Sequence, residues 1–192
     1  EGANSGSNDI FLVKYSSEGT LQFREQFGSS GDDSGLGIKV DSKDNVYITG
    51  FTEGGLDGNT NSGKQDIFLV KYNSNGFKLW TKQLGTPLYD SANGLAIDSS
   101  DNIYVTGYTQ GNLYTYSGGK DVFVVKYDSS GTKQWTRQFG APSFFQKSPY
   151  NSSSQVVSSE DECKKVSIDS SGNIYLTGNT QGGLDGNSNS GN

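Results

Sequence analysis

The run Asp9-Ile10-Phe11-Leu12-Val13-Lys14-Tyr15 decides the fold, because the chain repeats it twice. It returns as Asp66–Tyr72, 57 residues further on, and as Asp121–Tyr127 after another 55 residues. Self-similarity at a fixed period of this length is the signature of solenoids, propellers and other repeat architectures. Residues that recur in every copy therefore need a structural explanation first, and copies that depart from the pattern are where individual function is sought.

Each repeat contains four short runs with the composition of β-strands. In the second copy these runs cover Asp66–Tyr72, Lys78–Gly85, Ala92–Asp98 and Asn102–Thr109. They are rich in β-branched and aromatic residues and are separated by Gly, Asn, Asp and Ser. The turn after the first run ends in a glycine in every copy, which supplies the positive φ of a tight hairpin: Gly19, Gly76 and Gly131. The turn before the fourth run is rich in Asp and Asn, which tolerate left-handed backbone.

Polarity along the runs predicts where each strand lies in its sheet. The first run is apolar on both faces, so we expect it to be buried on both. The second run alternates, with Leu21, Phe23, Glu25 and Phe27 on one face, as in a half-exposed strand. The third run has a small residue at one recurrent position, which indicates close backbone approach near a crowded axis: Gly35, Ala92 and Cys163.

These patterns predict an all-β fold, a β-propeller built of four-stranded antiparallel blades, with two complete blades plus two half-blades in this chain. The predicted units are a half-blade 1–28, a blade 29–85, a blade 86–140, an insertion 141–160 and a half-blade 161–192. A right-handed β-solenoid is the competing fold, but the hairpin turns suit antiparallel strands better. Because propellers commonly have four to eight blades, we expect further propeller repeats or a second copy of the chain to close the ring.

The repeat also resembles a known family. The pattern D-x-F-x-V-K-Y-x-x-x-G, then W-x-x-Q-F-G, then D-x-x-G-N-x-Y-x-T-G-x-T is similar to the bacterial SBBP-type β-propeller repeat, and the likeness is clearest at 121–140 and 169–180. The resemblance implies an extracytoplasmic bacterial protein, located at the cell surface, in the periplasm or secreted, and usually built of many such repeats. It implies no established catalytic residues.

Composition excludes several function classes. The 15 Lys and Arg against 21 Asp and Glu give a net charge of −6 without a basic patch, so no nucleic-acid partner is expected. No run of about 18 apolar residues is present, so no transmembrane segment is predicted. The chain has no His, the commonest general base. With acids placed symmetrically in the repeats, the expectation is no enzyme and no catalytic residues.

A polar loop follows the fourth run of each repeat and is the first candidate binding site. One copy places carboxylate and amide oxygens at alternating positions Asp57, Asn59 and Asn61, and the last copy places them at Asp185, Asn187 and Asn189. Hard oxygens of this type are what calcium prefers, so a calcium site is one hypothesis for this loop, and calcium is the one cofactor that the sequence suggests. The array departs from a calcium loop, because the glycine falls one place late and no Glu follows at the right distance, so an Asx-rich turn without an ion is the favoured interpretation. The middle copy has Tyr114 in place of the Asp and is predicted to lack the site.

The insertion 141–160 is the second candidate, because it is the one segment that the repeats do not share. The connection from Gly140 to Asp169 is 16 residues longer than its two counterparts. It should lie on the same face as the polar loops, where loops on rigid scaffolds carry function. Phe144, Phe145 and Tyr150 are the predicted contact anchors for a protein or glycan partner. The alternative is a surface excursion whose aromatic side chains pack onto the blade.

Most other noticeable residues are interpreted as packing. Trp80 and Trp135 share one repeat position and are predicted to pack within blades rather than to stack on sugars. Cys163, at the small inner-strand position, is expected to be a buried inert thiol. Two series of aspartates recur at strand starts and should bond loop amides: Asp9, Asp66 and Asp121 in one, Asp33, Asp90 and Asp161 in the other.

The predicted function is a non-enzymatic propeller scaffold or interaction module that binds through the loop face carrying the insertion. One alternative is a carbohydrate- or polymer-binding propeller with lyase or hydrolase activity, which needs an asymmetric cluster of acids and aromatics. Another is a structural subunit of a surface filament or sheath.

Overall fold

The computed structural model describes residues 4–147 and 154–184, with backbone alone for residues 144–147 and 154–157. These residues form fourteen β-strands: β1 Ile10–Tyr15, β2 Leu21–Phe27, β3 Asp33–Val40, β4 Val46–Thr52, β5 Asp66–Tyr72, β6 Lys78–Leu84, β7 Asp90–Ile97, β8 Ile103–Thr109, β9 Asp121–Tyr127, β10 Lys133–Phe139, β11 Phe144–Lys147, β12 Ser154–Val157, β13 Glu162–Ile168 and β14 Ile174–Asn179.

Two four-stranded antiparallel sheets occupy the middle of the chain. One has the order β3-β4-β5-β6 and the other β7-β8-β9-β10, so each is a meander of sequence neighbours. The pairs β1-β2 and β13-β14 form two-stranded sheets before and after them. The expectation of an all-β chain with four-stranded antiparallel sheets is confirmed.

The small-residue position of the third run marks a close contact in every repeat. Gly35 pairs with Gly50, Ala92 with Gly107, and Cys163 with the equivalent glycine of β14. A Cβ on Gly107 would lie 1.9 Å from the Ser91 carbonyl oxygen, so the backbones approach too closely for a side chain. A register shift follows each pair, which is a β-bulge that the sequence pattern did not predict.

The turns follow the predicted chemistry. The hairpin glycines have positive φ, with values of 80° at Gly19, 85° at Gly76 and 83° at Gly131. In the Asx turns, Asp44 and Asp101 adopt left-handed backbone with φ of 60° and 61°. These residue types give the hairpins their geometry at low conformational cost.

Apolar side chains form two clusters, each between consecutive sheets. The first cluster lies between β1-β2 and the first four-stranded sheet, where the Phe27 ring meets the Phe68 ring edge-on at 6.1 Å. The second lies between the two four-stranded sheets and includes Tyr47, Leu69 and Val125. Burying a side chain of this size stabilises the fold by about 1.5–3 kcal/mol, so these interfaces hold the stack together.

The prediction that the first run is buried on both faces holds for β5 and is wrong for β1. All seven residues of β5 are buried, but Phe11 in β1 is 75% exposed and Tyr15 is 61% exposed. β5 has a sheet on each side, whereas β1 packs a sheet against one face only among the described residues.

The third strands of neighbouring repeats lie against one another. β7 contacts both β3 and β13, and these three strands line a cavity of about 270 Å³. Within the described part of the chain, no helix is long and apolar enough to cross a membrane.

Candidate functional site

The loop predicted to bind calcium has its polar groups engaged within the protein. The Asp57 carboxylate pairs with Lys78 Nζ at 2.9 Å and accepts a hydrogen bond from Thr81. The amides of Asn59 and Asn61 donate to backbone carbonyls of the same loop region, at 2.7 Å and 2.8 Å. The Asp57 carboxylate and both amides thus have partners within the protein, and calcium binding at this loop stays a hypothesis.

The other two copies of the loop differ from the first. In the middle copy, Tyr114 stacks against the Arg137 guanidinium, with 5.3 Å between Arg137 Cζ and the ring centroid. In the last copy, Asp185, Asn187 and Asn189 lie outside the described residues.

The insertion contains a β-hairpin that the sequence analysis did not predict. β11 pairs with β12 from Phe144↔Val157 to Lys147↔Ser154, and neither strand joins another sheet of the described residues. For Phe144 and Phe145 the backbone alone is described, and Tyr150 lies outside the described residues.

The base of this hairpin lies beside the polar loop of the preceding repeat. The Lys120 N–H donates to the Ser159 carbonyl at 3.0 Å, and the Asp161 N–H donates back to the Lys120 carbonyl at 2.9 Å. Because Lys120 directly follows the middle polar loop, the insertion and the loop emerge on one side of the stack, as expected.

The two tryptophans pack within the repeats, as predicted. Trp80 meets Tyr47 at 5.9 Å between ring centroids, and Trp135 meets Tyr104 at 6.1 Å in the same T-shaped arrangement. Trp80 also covers Gly131 of the next repeat, where a Cβ would lie 3.1 Å from the indole ring. Both indoles therefore pack within their own sheet, and Trp80 also packs against the next sheet.

The recurrent aspartates bond loop amides, which confirms the prediction made for them. In the first series, Asp66 accepts from the Ser62 N–H at 2.8 Å, and Asp121 accepts from the Ser117 N–H at 2.7 Å. In the second series, Asp161 accepts from the Ala141 N–H at 2.6 Å. These carboxylates thereby fix the loops that enter the strands.

The structure also pairs the two series, which the sequence analysis missed. Each aspartate of the first series lies beside one of the second series across the boundary between consecutive sheets, and we call these the junction pairs: Asp9 with Asp33, Asp66 with Asp90, and Asp121 with Asp161. The available signal was a glycine at the end of the second run in each repeat. Gly28, Gly85 and Gly140 stand where a Cβ would collide with the first carboxylate.

Burial and mutual repulsion act on these carboxylates. Burial raises the pKa of Asp90 above its ordinary value, and the Asp66 charge adds to the rise, against hydrogen bonds from Thr109 and Thr86 that lower it. Burial likewise raises the pKa of Asp121, with a further contribution from the charge of Asp161. The junctions therefore concentrate negative charge in a poorly solvated place.

A glutamine in the second strand of each repeat connects the junction to the polar loop. Gln83 Nε2 donates to Asp66 Oδ2 at 3.0 Å and to the Gly54 carbonyl at 3.0 Å, while its Oε1 accepts from the Leu56 N–H. Gln138 repeats this arrangement with Asp121. The polar loops are thus positioned by the junction aspartates.

The described residues contain neither an exposed cysteine nor a cluster of metal-ligating side chains. Cys163 is 1% exposed at the inner-strand position, as expected of a buried thiol. No group of three or more His, Cys, Asp or Glu side chains is assembled there to hold a metal ion.

Two segments of the chain match a known repeat family. A family model of the SBBP β-propeller repeat matches residues 79–115 and 134–185. The first match spans most of β6 to the middle polar loop, and the second runs from β10 through the insertion and β14.

Two curated proteins resemble the chain over most of its length. An uncharacterized WD repeat-containing protein of Acanthamoeba polyphaga mimivirus is 30% identical over 166 residues, which cover 71% of this chain and 12% of that protein. Regulatory protein FlaEY of Caulobacter vibrioides is 29% identical over 152 residues, covering 70% of this chain and 16% of that protein. The chain therefore spans less than one fifth of the length of the curated relatives it matches, one viral and one bacterial.

Proposed function

We propose that this chain is a segment of a β-propeller that serves as a non-enzymatic scaffold and presents the insertion hairpin to a protein or glycan partner. It comprises two complete blades, β3–β6 and β7–β10, flanked by the half-blades β1-β2 and β13-β14. The proposal rests on one observation: the polar and aromatic side chains that recur in the repeats make contacts within the fold. The hairpin β11-β12 is the segment that breaks the repeat.

The repeated side chains leave little for catalysis. Asp57 pairs with Lys78, Gln83 and Gln138 hold the loops, and Trp80 and Trp135 pack on tyrosines. A hydrolase or lyase would need acids free to exchange protons beside an open pocket. This arrangement supports the scaffold over the enzymatic alternative.

The outer edges of β1 and β14 have no partner strand among the described residues, which supports a ring that other strands complete. β14 has the position that β4 and β8 have in the complete sheets, and β1 has the position of β5 and β9. An unpaired edge is a template for another strand. We propose that strands of the same repeat type, from further repeats or from a second copy, complete these edges.

We place the protein outside the cytoplasm, at the surface, in the periplasm or secreted. This placement is supported by the repeat family, and its test is the location of the intact protein in fractionated cells. A tagged form recovered only from the cytoplasmic fraction would overturn it.

Replacing the insertion tests its role in binding. The equivalent connection in the preceding repeat is Thr86-Pro87-Leu88-Tyr89, and its first residue, like Ala141, donates a backbone N–H to an aspartate at 2.5 Å. Exchanging residues 141–160 for these four residues should preserve the fold and remove the hairpin. Leu88→Ala, on the shorter connection, is the matched control.

Binding is measured with a glycan array and by cross-linking mass spectrometry against surface and secreted proteins of the source organism. The proposal predicts cross-links through Lys147 that the exchange abolishes and that Leu88→Ala retains. Equal binding by the exchanged variant would overturn the role of the hairpin. Binding to glycans alone, with turnover of a polysaccharide, would favour the carbohydrate-active alternative.

A further inference from the structure

Hydrogen bonds of the described residues leave some carboxylate oxygens of the junction pairs without a partner. Asp66 opens β5 in one sheet, and Asp90 opens β7 in the next sheet. The backbone holds them together, because the Asp90 N–H donates to the Gln65 carbonyl at 3.0 Å. Asp121 and Asp161 repeat this arrangement one sheet further on, with the Asp161 N–H on the Lys120 carbonyl.

One oxygen of each first carboxylate is satisfied and the other is not. Asp66 Oδ2 accepts from the Ser62 N–H and from Gln83, and Asp121 Oδ2 accepts from the Ser117 N–H and from Gln138. Asp66 Oδ1 and Asp121 Oδ1 have no hydrogen-bond partner among the described residues, although both residues are 0% exposed. An unpartnered buried anionic oxygen is costly, so each of these atoms calls for a partner.

At two of the junctions the unpartnered oxygen of the first carboxylate lies close to the second carboxylate. The ideal Cβ position on Gly140 is 2.2 Å from Asp121 Oδ1 and 3.0 Å from Asp161 Oδ2. The ideal Cβ position on Gly28 is likewise 2.3 Å from Asp9 Oδ1 and 2.8 Å from Asp33 Oδ2. Glycine therefore leaves the space between two carboxylates open at both places.

The gap is not closed by a direct bond between the carboxylates. The hydrogen bonds among the described residues include none between the members of a junction pair, and Asp161 Oδ1 also has no partner. The ion pairs in this part of the chain use other carboxylates, such as those of Asp41, Asp57 and Glu160. Each junction thus holds two acidic groups, and none of the ion pairs among the described residues involves them.

We propose that the junctions between consecutive sheets bind calcium, one ion between the unpartnered Oδ1 of the first aspartate and the facing carboxylate of the second. Two carboxylates match the charge of a divalent ion, and the surrounding donors are oxygens, which calcium binds in sets of six to eight. Hydroxyl groups of Thr86 and Ser159 already contact the second carboxylate of their pairs, at 2.8 Å and 3.1 Å.

These sites differ from the polar-loop site predicted from the sequence. Asp57 already has a cationic partner in Lys78, and its carboxylate is partly exposed. Asp66 and Asp121 lack such a partner and are fully buried. The junction at Asp9 lies at the end of the stack and is half-buried, so we expect it to bind more weakly.

Isothermal titration of calcium into the chelator-treated 192-residue chain tests the proposal, together with Tm in calcium and in EDTA. Asp66→Asn and Asp121→Asn should each remove one site from the stoichiometry and should reduce the rise of Tm that calcium causes. Asp57→Asn separates the junctions from the polar loop: if the junctions alone hold the calcium, this variant leaves both quantities unchanged.

Stability in EDTA shows that the variants fold, because an Asn amide at the unpartnered position can donate to the facing carboxylate. Asp66→Asn should therefore match or exceed the wild-type Tm in EDTA while responding less to calcium. The proposal is overturned if calcium gives neither heat nor a shift of Tm. It is also overturned if only Asp57→Asn abolishes binding. If the Asn variants are more stable in EDTA and calcium has no effect on wild type, the carboxylates share a proton instead.

Discussion

Lys71 of one repeat donates through Nζ to the carbonyl oxygen of Ser129, in the hairpin turn of the next repeat, at 3.2 Å. One repeat earlier, Lys14 donates to the Ser74 carbonyl at 3.0 Å. The same lysine of the repeated run thus bridges consecutive sheets twice, always toward the same turn. The run that reveals the repeat in the sequence also carries a contact that fixes how one repeat lies on the next.

Removing this lysine should weaken the stack. Lys71 is buried, lies 5.0 Å from the Tyr47 ring centroid and 3.8 Å from Asp41 Oδ2. Lys71→Met keeps the length of the side chain and should lower the free energy of unfolding by about 1–2 kcal/mol, since hydrogen bonds to charged groups contribute at this level.

Lys126 is the matched control, because it has the same position in the last complete sheet. It lies 5.2 Å from the Tyr104 ring, but no later hairpin turn faces it among the described residues. Urea denaturation should show a smaller effect for Lys126→Met than for Lys71→Met. Equal effects would mean that the bridge to Ser129 contributes nothing.

The two tryptophans should differ in their contribution to stability. Trp80 packs on Tyr47 and covers Gly131 of the next repeat, whereas Trp135 packs on Tyr104 in its own sheet. Trp80→Ala should cost about 2 kcal/mol and Trp135→Ala about half of that, because large-to-small substitutions cost most where the site cannot collapse. Thermal unfolding followed by circular dichroism measures both, and the reverse order would contradict the packing between repeats.

The small inner-strand position should accept only small side chains. Ala92 and Cys163 occupy it in successive repeats, and both are buried. Ala92→Cys should therefore change stability by less than about 1 kcal/mol, and Ala92→Leu should cost about 1–3 kcal/mol or more through overpacking. The denaturation midpoints of the two variants are compared with that of wild type. If Ala92→Leu is as stable as wild type, the strands do not approach closely at Gly107.

Acid should destabilise the Asx turn at Asp98. Burial acts to raise the pKa of Asp98, but hydrogen bonds from Asn102, Ser100 and Tyr104 outweigh it and lower the pKa below its ordinary value of 3.8. The folded state binds the Asp98 proton less readily than the unfolded state does, so the ionised carboxylate stabilises the fold at pH values above its ordinary pKa. This stabilisation is lost as the pH falls through the lowered pKa of the folded state.

Asp98→Asn should therefore be less stable than wild type near neutral pH, by about 1–2 kcal/mol, and should lose less on acidification. Tyr104→Phe removes one donor, whose hydroxyl lies 3.0 Å from Asp98 Oδ2, and should give an intermediate result. Parallel pH profiles for wild type and Asp98→Asn would show that the turn has no part in acid denaturation.

The strands were predictable because local chemistry determines them. The four runs predicted in the second repeat correspond to β5, β6, β7 and β8, with ends that differ by at most two residues. Alternation of polarity and turn glycines act over a few residues, so the sequence displays them directly. The small residue of the third run likewise indicated the close contact between Ala92 and Gly107.

The features that the sequence did not predict depend on contacts between residues of different sheets. Phe11 has the same apolar pattern as its counterpart Phe68, but it is exposed because the described residues place a sheet on only one side of β1. Asp66 and Asp90 are 24 positions apart in the sequence and recur in every repeat, so neither their pairing nor the unpartnered oxygen is visible in the pattern. The hairpin β11-β12 occurs once and has no repeated copy to reveal it.

Cross-linking across the open edges tests the propeller most directly. In the complete sheets Tyr47 pairs with Lys71 and Tyr104 pairs with Lys126, so the same register places Tyr175 of β14 opposite Lys14 of β1. In a solution of this chain alone, only a second copy can supply those strands. The assay uses Lys14→Cys with Tyr175→Cys in a Cys163→Ala background.

Closure by a second copy should give disulfide-linked dimers from this pair, because directly paired residues lie within disulfide reach. Lys14→Cys with Leu176→Cys is the control, since a shift of one residue turns the side chain to the other face. Dimers from the first pair but not the second, together with a dimeric mass by light scattering, are the expected result. A monomer at every concentration, with no cross-link in either pair, would contradict closure by a second copy and would leave further repeats to complete the edges.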